Sequence, residues 1–496
     1  MTVLSRRNAL KSLTAASAML MLSSSRSIRA TPQHPWLPPP YSVPMTIPPV
    51  LAPARRTSDS DFYEIEIAET SQEILPGIQT KVLTYAGCFP GPTIQAEQGR
   101  KTVVAQINKM YTDAAVHLHG ANVPASSDGY PMDVIKPNKT RVYNYPNAQP
   151  AGTLWYHDHA HHLEAEQVYR GLAGAYLLSD SVEQQIPLPR GEFDVPLLIR
   201  DAKFDHNGQL VWVFDDFLDR PTMLVNGRPQ PYFTVKPSLY RLRLFNVSNI
   251  EPFRFRLDNG ALFLQIGSDG GLLPSPALLQ EIELFPSERA DVLVDFRSTA
   301  PGTSVALENI ATSPAAAQKR QVMQFRVAGV DSARRLDLDA VRGWQDGRVP
   351  QEYAPAEGWP VAAPPLPPAT QQRRFVLHFD VKQEKFLING REFDANRVDA
   401  TVKLGSTEIW EIVNADGALG IAHAMHLHLV QFRVLDRNGK PEPAHDAYPK
   451  DTVRLHPGDT VHISVTFNSF VGRYPFHCHF IDHASHSMMG QFEVVP

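Results

Sequence analysis

Short runs in which apolar and polar residues alternate recur along most of this chain. Residues 62–67 read Phe-Tyr-Glu-Ile-Glu-Ile, and residues 102–107, 240–245, 292–296, 375–379, 408–413 and 461–467 are comparable runs rich in β-branched and aromatic side chains. Gly, Pro, Asn or Asp bounds them. Successive side chains of a strand leave opposite faces, so this period of two, with turn residues at its ends, predicts short strands packed as β-sandwiches. Two stretches break the pattern: residues 31–53 hold nine prolines in 23 positions, and residues 350–368 hold seven in 19. Proline fixes φ and removes a donor, so both should be extended, polyproline-like segments without a core of their own. The first reads as a tether and the second as an interdomain linker.

The strand pattern also repeats. Residues 103–108 followed by Val116-His117-Leu118-His119 parallel residues 410–414 followed by Met425-His426-Leu427-His428. Residues 242–246 followed by Phe253-Arg254-Phe255-Arg256 are the same unit without histidine. Gly152 precedes His157 and His159 with the spacing by which Gly472 precedes His477 and His479. The chain is therefore predicted to be all-β, with three related sandwiches at 58–190, 191–350 and 370–496. A Pro-rich segment at 31–57 and a linker at 351–369 complete it.

Composition narrows the function. Hydrophobic residues at 43% and charged residues at 20% of 496 describe a folded chain of several domains. A net charge of −5 without a basic stripe makes nucleic acid an unsuitable partner. No run of 18 apolar residues is present, so no transmembrane helix is expected. The only cysteines, Cys88 and Cys478, exclude a disulfide framework, and Cys88 is expected to be a free thiol. Residues 1–30 carry five Lys/Arg, including the pair Arg6-Arg7, and no Asp or Glu, followed by a short apolar stretch. This is similar to a twin-arginine signal peptide, implying engagement of the twin-arginine translocase and a periplasmic or secreted protein.

The histidines carry the chemistry. Random placement of nineteen would give roughly 0.7 His-x-His pairs, whereas five occur, four of them at matching places in the first and third sandwiches. Between residues 163 and 377 only His206 is found, so the middle sandwich is expected to hold no metal. Side chains at i and i+2 share a strand face, so each pair can present two imidazoles to one side. Eight converging imidazoles exceed the four ligands of a zinc site and suit a cluster of about three metals. Cys478, between His477 and His479, must face away from that cluster. His423, at an odd offset from His426, can join it, with His483 and Met488 following. Two His, a Cys thiolate and a weak Met form the ligand set of a blue copper site.

The motifs His117-x-His119-Gly, Trp155-Tyr-His157-x-His159, His423-x-x-His426-x-His428 and His477-Cys478-His479-x3-His483-x4-Met488 together resemble the four copper motifs of multicopper oxidases. Residues 89–93, 127–131, 154–160 and 450–453 are most similar to the spore-coat laccase, bilirubin oxidase and phenoxazinone synthase branch. The resemblance covers residues 60–496. It implies three consecutive cupredoxin-like Greek-key sandwiches and four copper ions per chain. By motif, the type 1 copper takes His423, Cys478, His483 and Met488, and the type 2 copper takes His117 and His426. One type 3 copper takes His119, His157 and His479, and the other takes His159, His428 and His477. The implied activity is a copper-dependent oxidoreductase of the laccase type. It would withdraw single electrons from phenolic or aromatic amine donors and reduce O₂ to water.

The resemblance further implies a proton-relaying acid at Asp128, which could instead only form the turn before Gly129. Family members often carry a glutamate where this chain has Ala484, which leaves Asp482 as a substitute acid. Ala424 stands where the family usually has Pro. Met489 is the alternative to Met488. His161, His162 and His486 are expected at the surface or behind the ligands, and His34, His206, His378, His445, His456 and His462 to be ordinary polar residues. The type 1 site should meet substrate through an exposed edge of His423 or His483, without a deep pocket, in a monomer. A cuprous-ion oxidase for copper tolerance is the alternative, though the eleven methionines are scattered. A copper-free structural member of the fold is remote, because every ligand motif is intact.

Overall fold

The computed structural model describes residues 37–216, 219–311, 319–329, 348–354 and 359–496, so the signal-like residues 1–30 lie outside the described residues. Residues from Pro38 onward form one compact unit. It is all-β, built as three consecutive cupredoxin-like sandwiches. In the first, Ser60–Glu73, Lys101–Asn108 and Thr140–Tyr145 lie side by side in one sheet. Gly91–Glu97, Ala173–Ser179, Gly152–Asp158 and Val116–His119 form the sheet opposite. Between them Tyr63, Ile65, Val104 and Tyr143 meet Ile94, Val116, Leu118, Tyr156 and Tyr176 in a dry core. The third sandwich repeats this arrangement: the sheet holding Gln371–Asp380, Thr407–Asn414 and Thr460–Thr466 faces one holding Met489–Val495, Gly472–Cys478, His423–Leu427 and Thr452–Leu455. The middle sandwich faces a seven-stranded sheet with a five-stranded one.

The repeat has a physical cause at one position. Lys101–Asn108, Leu239–Asn246 and Thr407–Asn414 each lie parallel to the first long strand of their sandwich, and each ends in a buried asparagine. Asn108 donates to the carbonyls of Thr112 and Ile135 at 2.8 and 2.7 Å and accepts from the Met110 amide at 2.9 Å. Asn246 donates to Glu251 and Leu284 at 2.9 and 2.8 Å and accepts from Ser248 at 3.0 Å. Asn414 donates to Ile421, Leu455 and His456 at 2.9, 3.2 and 3.0 Å and accepts from Asp416 at 2.9 Å. An Asn side chain mimics a backbone turn in this way and satisfies loop carbonyls that would otherwise be buried unpaired. Each clamp fixes the crossing from one sheet to the strand that, in the first and third sandwiches, bears His-x-His.

The described parts of the proline-rich segments are packed on the sandwiches, and Gln351–Tyr353 of the second forms a 3₁₀ turn where an extended run is expected. Tyr41 and Met45 donate to the Gln230 and Tyr232 carbonyls, both at 2.7 Å, and Leu51 donates to Thr93 at 2.8 Å, so residues 41–51 are strapped along the second and first sandwiches. Tyr353 and Trp359 of the second segment are buried against Leu264, Ile266 and Leu293. Among the described residues no helix is long and apolar enough to cross a membrane.

Candidate metal centre

Strand alternation divides the side chains of four strands between two environments. Val116 and Leu118, Leu154 and Tyr156 point into the first core, and Met425, Leu427, Phe476 and Cys478 into the third. The residues between them, His117, His119, Trp155, His157, His426 and His477, therefore leave the opposite faces, where the two sandwiches meet. Register adds to this: His117 pairs with His157 across one sheet, and His426 with His477 across the other. His159, His428 and His479 follow directly. All eight imidazoles are buried.

Three of them converge tightly. The Nε2 atoms of His159, His428 and His477 lie 3.2–3.3 Å from one another. A triangle of that size puts its centre about 1.9 Å from each nitrogen, close to a metal–imidazole bond of roughly 2.0–2.1 Å. His117 and His426 bring their Nε2 atoms to 3.5 Å. His119, His157 and His479 form a looser group, with ring centroids 4.8–5.7 Å apart beside Trp155. In that group His119 Nδ1, His157 Nε2 and both nitrogens of His479 are buried without a hydrogen-bond partner.

Six of the eight rings are pinned through one nitrogen, while His159 Nδ1 has no partner. His117 Nδ1 donates to the Asp128 carbonyl at 2.6 Å, His157 Nδ1 to Asp158 O at 2.8 Å, and His477 Nδ1 to Cys478 O at 3.1 Å. His426 Nδ1 donates to Asp451 O at 2.8 Å, and His428 Nδ1 donates to the Asp128 carboxylate at 2.8 Å. His119 Nε2 meets the Asp451 carboxylate at 3.0 Å. Such contacts fix the tautomer and leave the opposite nitrogen's lone pair for a metal. Burial lowers the basicity of the rings, to about 3 at His157 and His426 and about 4 at His477. Neutral lone pairs crowded together without partners repel one another unless cations lie between them. The donor set thus fits a metal cluster, and no zinc-like closed tetrahedron accounts for it.

Cys478 builds a second site on the core side. Its Sγ stands 3.5 Å from His423 Nδ1 and 3.7 Å from His483 Nδ1. Burial alone would raise the thiol, but His423 and His483 outweigh it and bring it down to about 6. His423 is held from behind by Asp416 at 2.8 Å. Met489 lies opposite His477 in the sheet and so shares its face, which turns Met488 toward the Cys478 side. Met488 is buried in the same core cluster as Cys478. Soft thiolate, two imidazoles and a thioether on one side of the strand suit copper.

Several expectations need amendment. His423 and His483 present no exposed edge: they are 0% and 2% exposed. Phe386 stacks on His483 at 3.7 Å, and Asp215 reaches its Nε2 at 3.7 Å. Asp482 explains the cover. Its carboxylate accepts from the Asp215 amide at 2.8 Å, Asn249 at 2.8 Å, Arg220 at 3.2 Å and Trp212 at 3.5 Å. The group is thereby committed to anchoring the segment that includes Trp212 and Asp215, and is not brought to the imidazole cluster. Asp128 is brought there, fully buried, with Oδ1 unpartnered, and burial pushes it well above the usual carboxylate range. Gly129 is also a required turn: at φ +78° its Cβ would stand 2.2 Å from the Val116 carbonyl oxygen. The pair thus combines a tight turn at Gly129 with a buried acid at Asp128 beside the cluster. His162 and His486 back onto the Ser485 and Asp482 carbonyls at 2.7 and 3.1 Å. Cys88 is free.

Sequence reasoning passed over Asp451, Arg289, Asp416 and Asp215. Asp451 sits within the matched run 450–453, which was the available signal. Arg289, from the middle sandwich, grips Asp451 at 2.8 and 2.6 Å, so the histidine-poor module still orders the centre. Gly120 makes room for it, since a Cβ there would stand 2.5 Å from Asp451 and 2.8 Å from Arg289.

Models of the multicopper oxidase family match residues 66–183 and 365–496. A laccase of Bacillus stratosphericus is 34% identical, over 91% of this chain and 98% of that protein. The crystal structure of a laccase from Pediococcus acidilactici superposes with a TM-score of 0.81 at 31% identity, over 93% of this chain and 95% of that one. A Campylobacter jejuni multicopper oxidase described as a metallo-oxidase superposes with a TM-score of 0.75 at 25% identity, over 92% and 97%. Similarity along nearly the whole chain, added to a buried donor set suited to copper, shows that this chain belongs to the multicopper oxidase family, copper-dependent oxidoreductases that use O₂ as acceptor.

Proposed function

We propose that the chain is a laccase-type oxidase, taking single electrons from phenols or aromatic amines at the Cys478 site and using four copper ions. His423, Cys478, His483 and Met488 would hold the first copper, and His117 with His426 the second. The remaining two fall to His119, His157 and His479, and to His159, His428 and His477. Copper in these sites supplies one-electron acceptance at the thiolate and four-electron reduction of O₂ to two waters among the imidazoles. The peptide links from Cys478 to His477 and His479 give electrons a covalent route between the two.

The observation that carries the donor class is the cover over His483. Residues 211–220 contain no methionine, and soft cuprous ions favour thioethers. What the cover offers is Asp215, its side chain 33% exposed and 3.7 Å from His483 Nε2. A carboxylate so placed accepts the hydroxyl proton that a phenol gives up with its electron, and Trp212 and Phe214 stand beside it in the same segment. The test compares turnover of a methoxyphenol with that of Cu⁺ in protein loaded to four coppers per chain. Phenol turnover well above the copper-free background is expected; activity confined to Cu⁺ would assign the chain to the metallo-oxidases instead.

Asp128 orients His428 with one carboxylate oxygen and leaves the other free to hydrogen-bond water beside the cluster. Asp128→Asn preserves the shape and an acceptor for His428 but cannot take up a proton. The variant should keep its colour and copper, and be reduced anaerobically by phenol at the normal rate. Oxygen turnover should fall about tenfold or more, near 1.4 kcal/mol on the barrier. Unchanged turnover would leave Asp128 a purely orienting role.

A further inference from the structure

One buried acid, Glu164, has no partner that explains its burial. Beyond His159 the chain turns at Ala160 and enters the helix Glu164–Tyr169, of which Glu164 is the first residue. Glu164 is 2% exposed, and neither of its carboxyl oxygens has a hydrogen-bond partner. Its amide donates to the Ala160 carbonyl at 2.9 Å, so its backbone stands one helical turn from the residue that follows His159. The helix packs on Ile481–Ser485: Ala165 and Val168 touch Ile481, and the Ala165 amide donates to Ser485 Oγ at 3.2 Å. Ser485 and the Leu163 and Glu164 amides lie near enough to ease the carboxyl's charge, outside hydrogen-bond geometry.

The other acids around it are committed. Asp158 accepts from the Ala115 and Ala160 amides at 3.1 and 3.0 Å and from Gln167 at 3.2 Å. Asp482, on the facing helix, is tied to Arg220. Among the described residues Glu164 is the buried acid with both oxygens unpartnered. Leaving a polar group buried and unpaired costs about 1–3 kcal/mol, so keeping it needs a reason. Burial, with Asp158 adding to it, raises its pKa to about 8, so the group carries a proton at neutral pH. His162, two residues earlier, is exposed and bonded to the carbonyl of Ser485, the residue whose side chain lies near the Glu164 carboxyl.

We propose that Glu164 is the acid that passes protons to the imidazole cluster on its His159 side, a duty that Ala484 on the facing helix cannot perform. This rests on the reading of that cluster as the oxygen-reducing site. Each O₂ takes four electrons from four donor oxidations and four protons, and leaves as two waters. Glu164 gives up its carboxyl proton through water toward the cluster, stands as a carboxylate, and is reprotonated from bulk solvent past His162. No bond to carbon is made or broken.

The test uses the full copper-loaded chain and Glu164→Gln, which keeps the shape and loses the proton. Copper content, colour and anaerobic reduction by phenol should match the wild type, while oxygen turnover falls about tenfold or more. In copper-free protein the infrared carbonyl band of a buried neutral acid, shifted in D₂O, should be missing from the variant. Glu164→Leu, which leaves nothing polar to bury, should lose the same step, and Glu164→Gln with Ala484→Glu should recover most of it. Wild-type turnover by either single variant at full copper content overturns the proposal, as does an infrared spectrum unchanged by Glu164→Gln. A wild type that takes up copper but reduces no oxygen would instead overturn the reading beneath it.

Discussion

Replacing Cys478 by serine is expected to abolish both the blue colour and the oxidase activity, with turnover falling roughly a thousandfold or more, about 4 kcal/mol on the barrier. A serine hydroxyl is not ionised near neutral pH and offers a hard oxygen where copper needs a soft thiolate. The loss should be local. Cys478 points into the third core while its neighbours His477 and His479 point to the interface, so the imidazole cluster does not use the sulfur. The variant should retain about three of four coppers, read by metal analysis beside the visible spectrum. A variant that stays intensely blue would remove Cys478 from the site. One that loses all its copper would show that the two sites do not assemble independently.

Asp451→Asn should produce the largest loss of stability. The Asp451 carboxylate is gripped by Arg289 at 2.8 and 2.6 Å, meets His119 at 3.0 Å, and has Asp269 and Lys450 around it, all buried. Removing its charge leaves Arg289 buried with its main counter-ion gone, which costs about 3–5 kcal/mol. The cost follows from breaking the pair, not from the pair's net worth, so Asp451→Asn combined with Arg289→Met should regain part of it. Denaturant unfolding of the copper-free forms measures this without the metal's own contribution. A single variant that unfolds at the wild-type midpoint would mean that Arg289 finds another acceptor. His119 should also lose its orientation, so the single variant is expected to bind less copper even where it folds.

Legibility of the site tracked sequence distance. His-x-His pairs are local objects: two residues on one strand share a face wherever the strand is placed, and the Cys between His477 and His479 must take the other. Met488 against Met489 needed only the register of one hairpin, His477 opposite Met489. What could not be read were partners brought from elsewhere in the chain. Asp215 lies 268 positions before His483, and Arg289 lies 162 before Asp451. Neither belongs to a local pattern. The expectation of an exposed imidazole edge failed for the same reason, because the covering segment belongs to the middle sandwich and is anchored by Asp482. Glu164 likewise arrives on a helix from the first sandwich, far in sequence from Ala484 and outside any pattern local to it.

The sequence by itself therefore determined the strand period, the threefold repeat, and which side chains share a face. Those follow from backbone geometry, which acts over a few residues. The tertiary structure alone decided which faces meet: the first and third sandwiches close on each other through their histidines, and the middle one contributes Arg289 and the cover over His483. Burial then set the rest, since an imidazole or carboxyl becomes neutral, pinned or unpartnered only according to what the other sandwiches place around it.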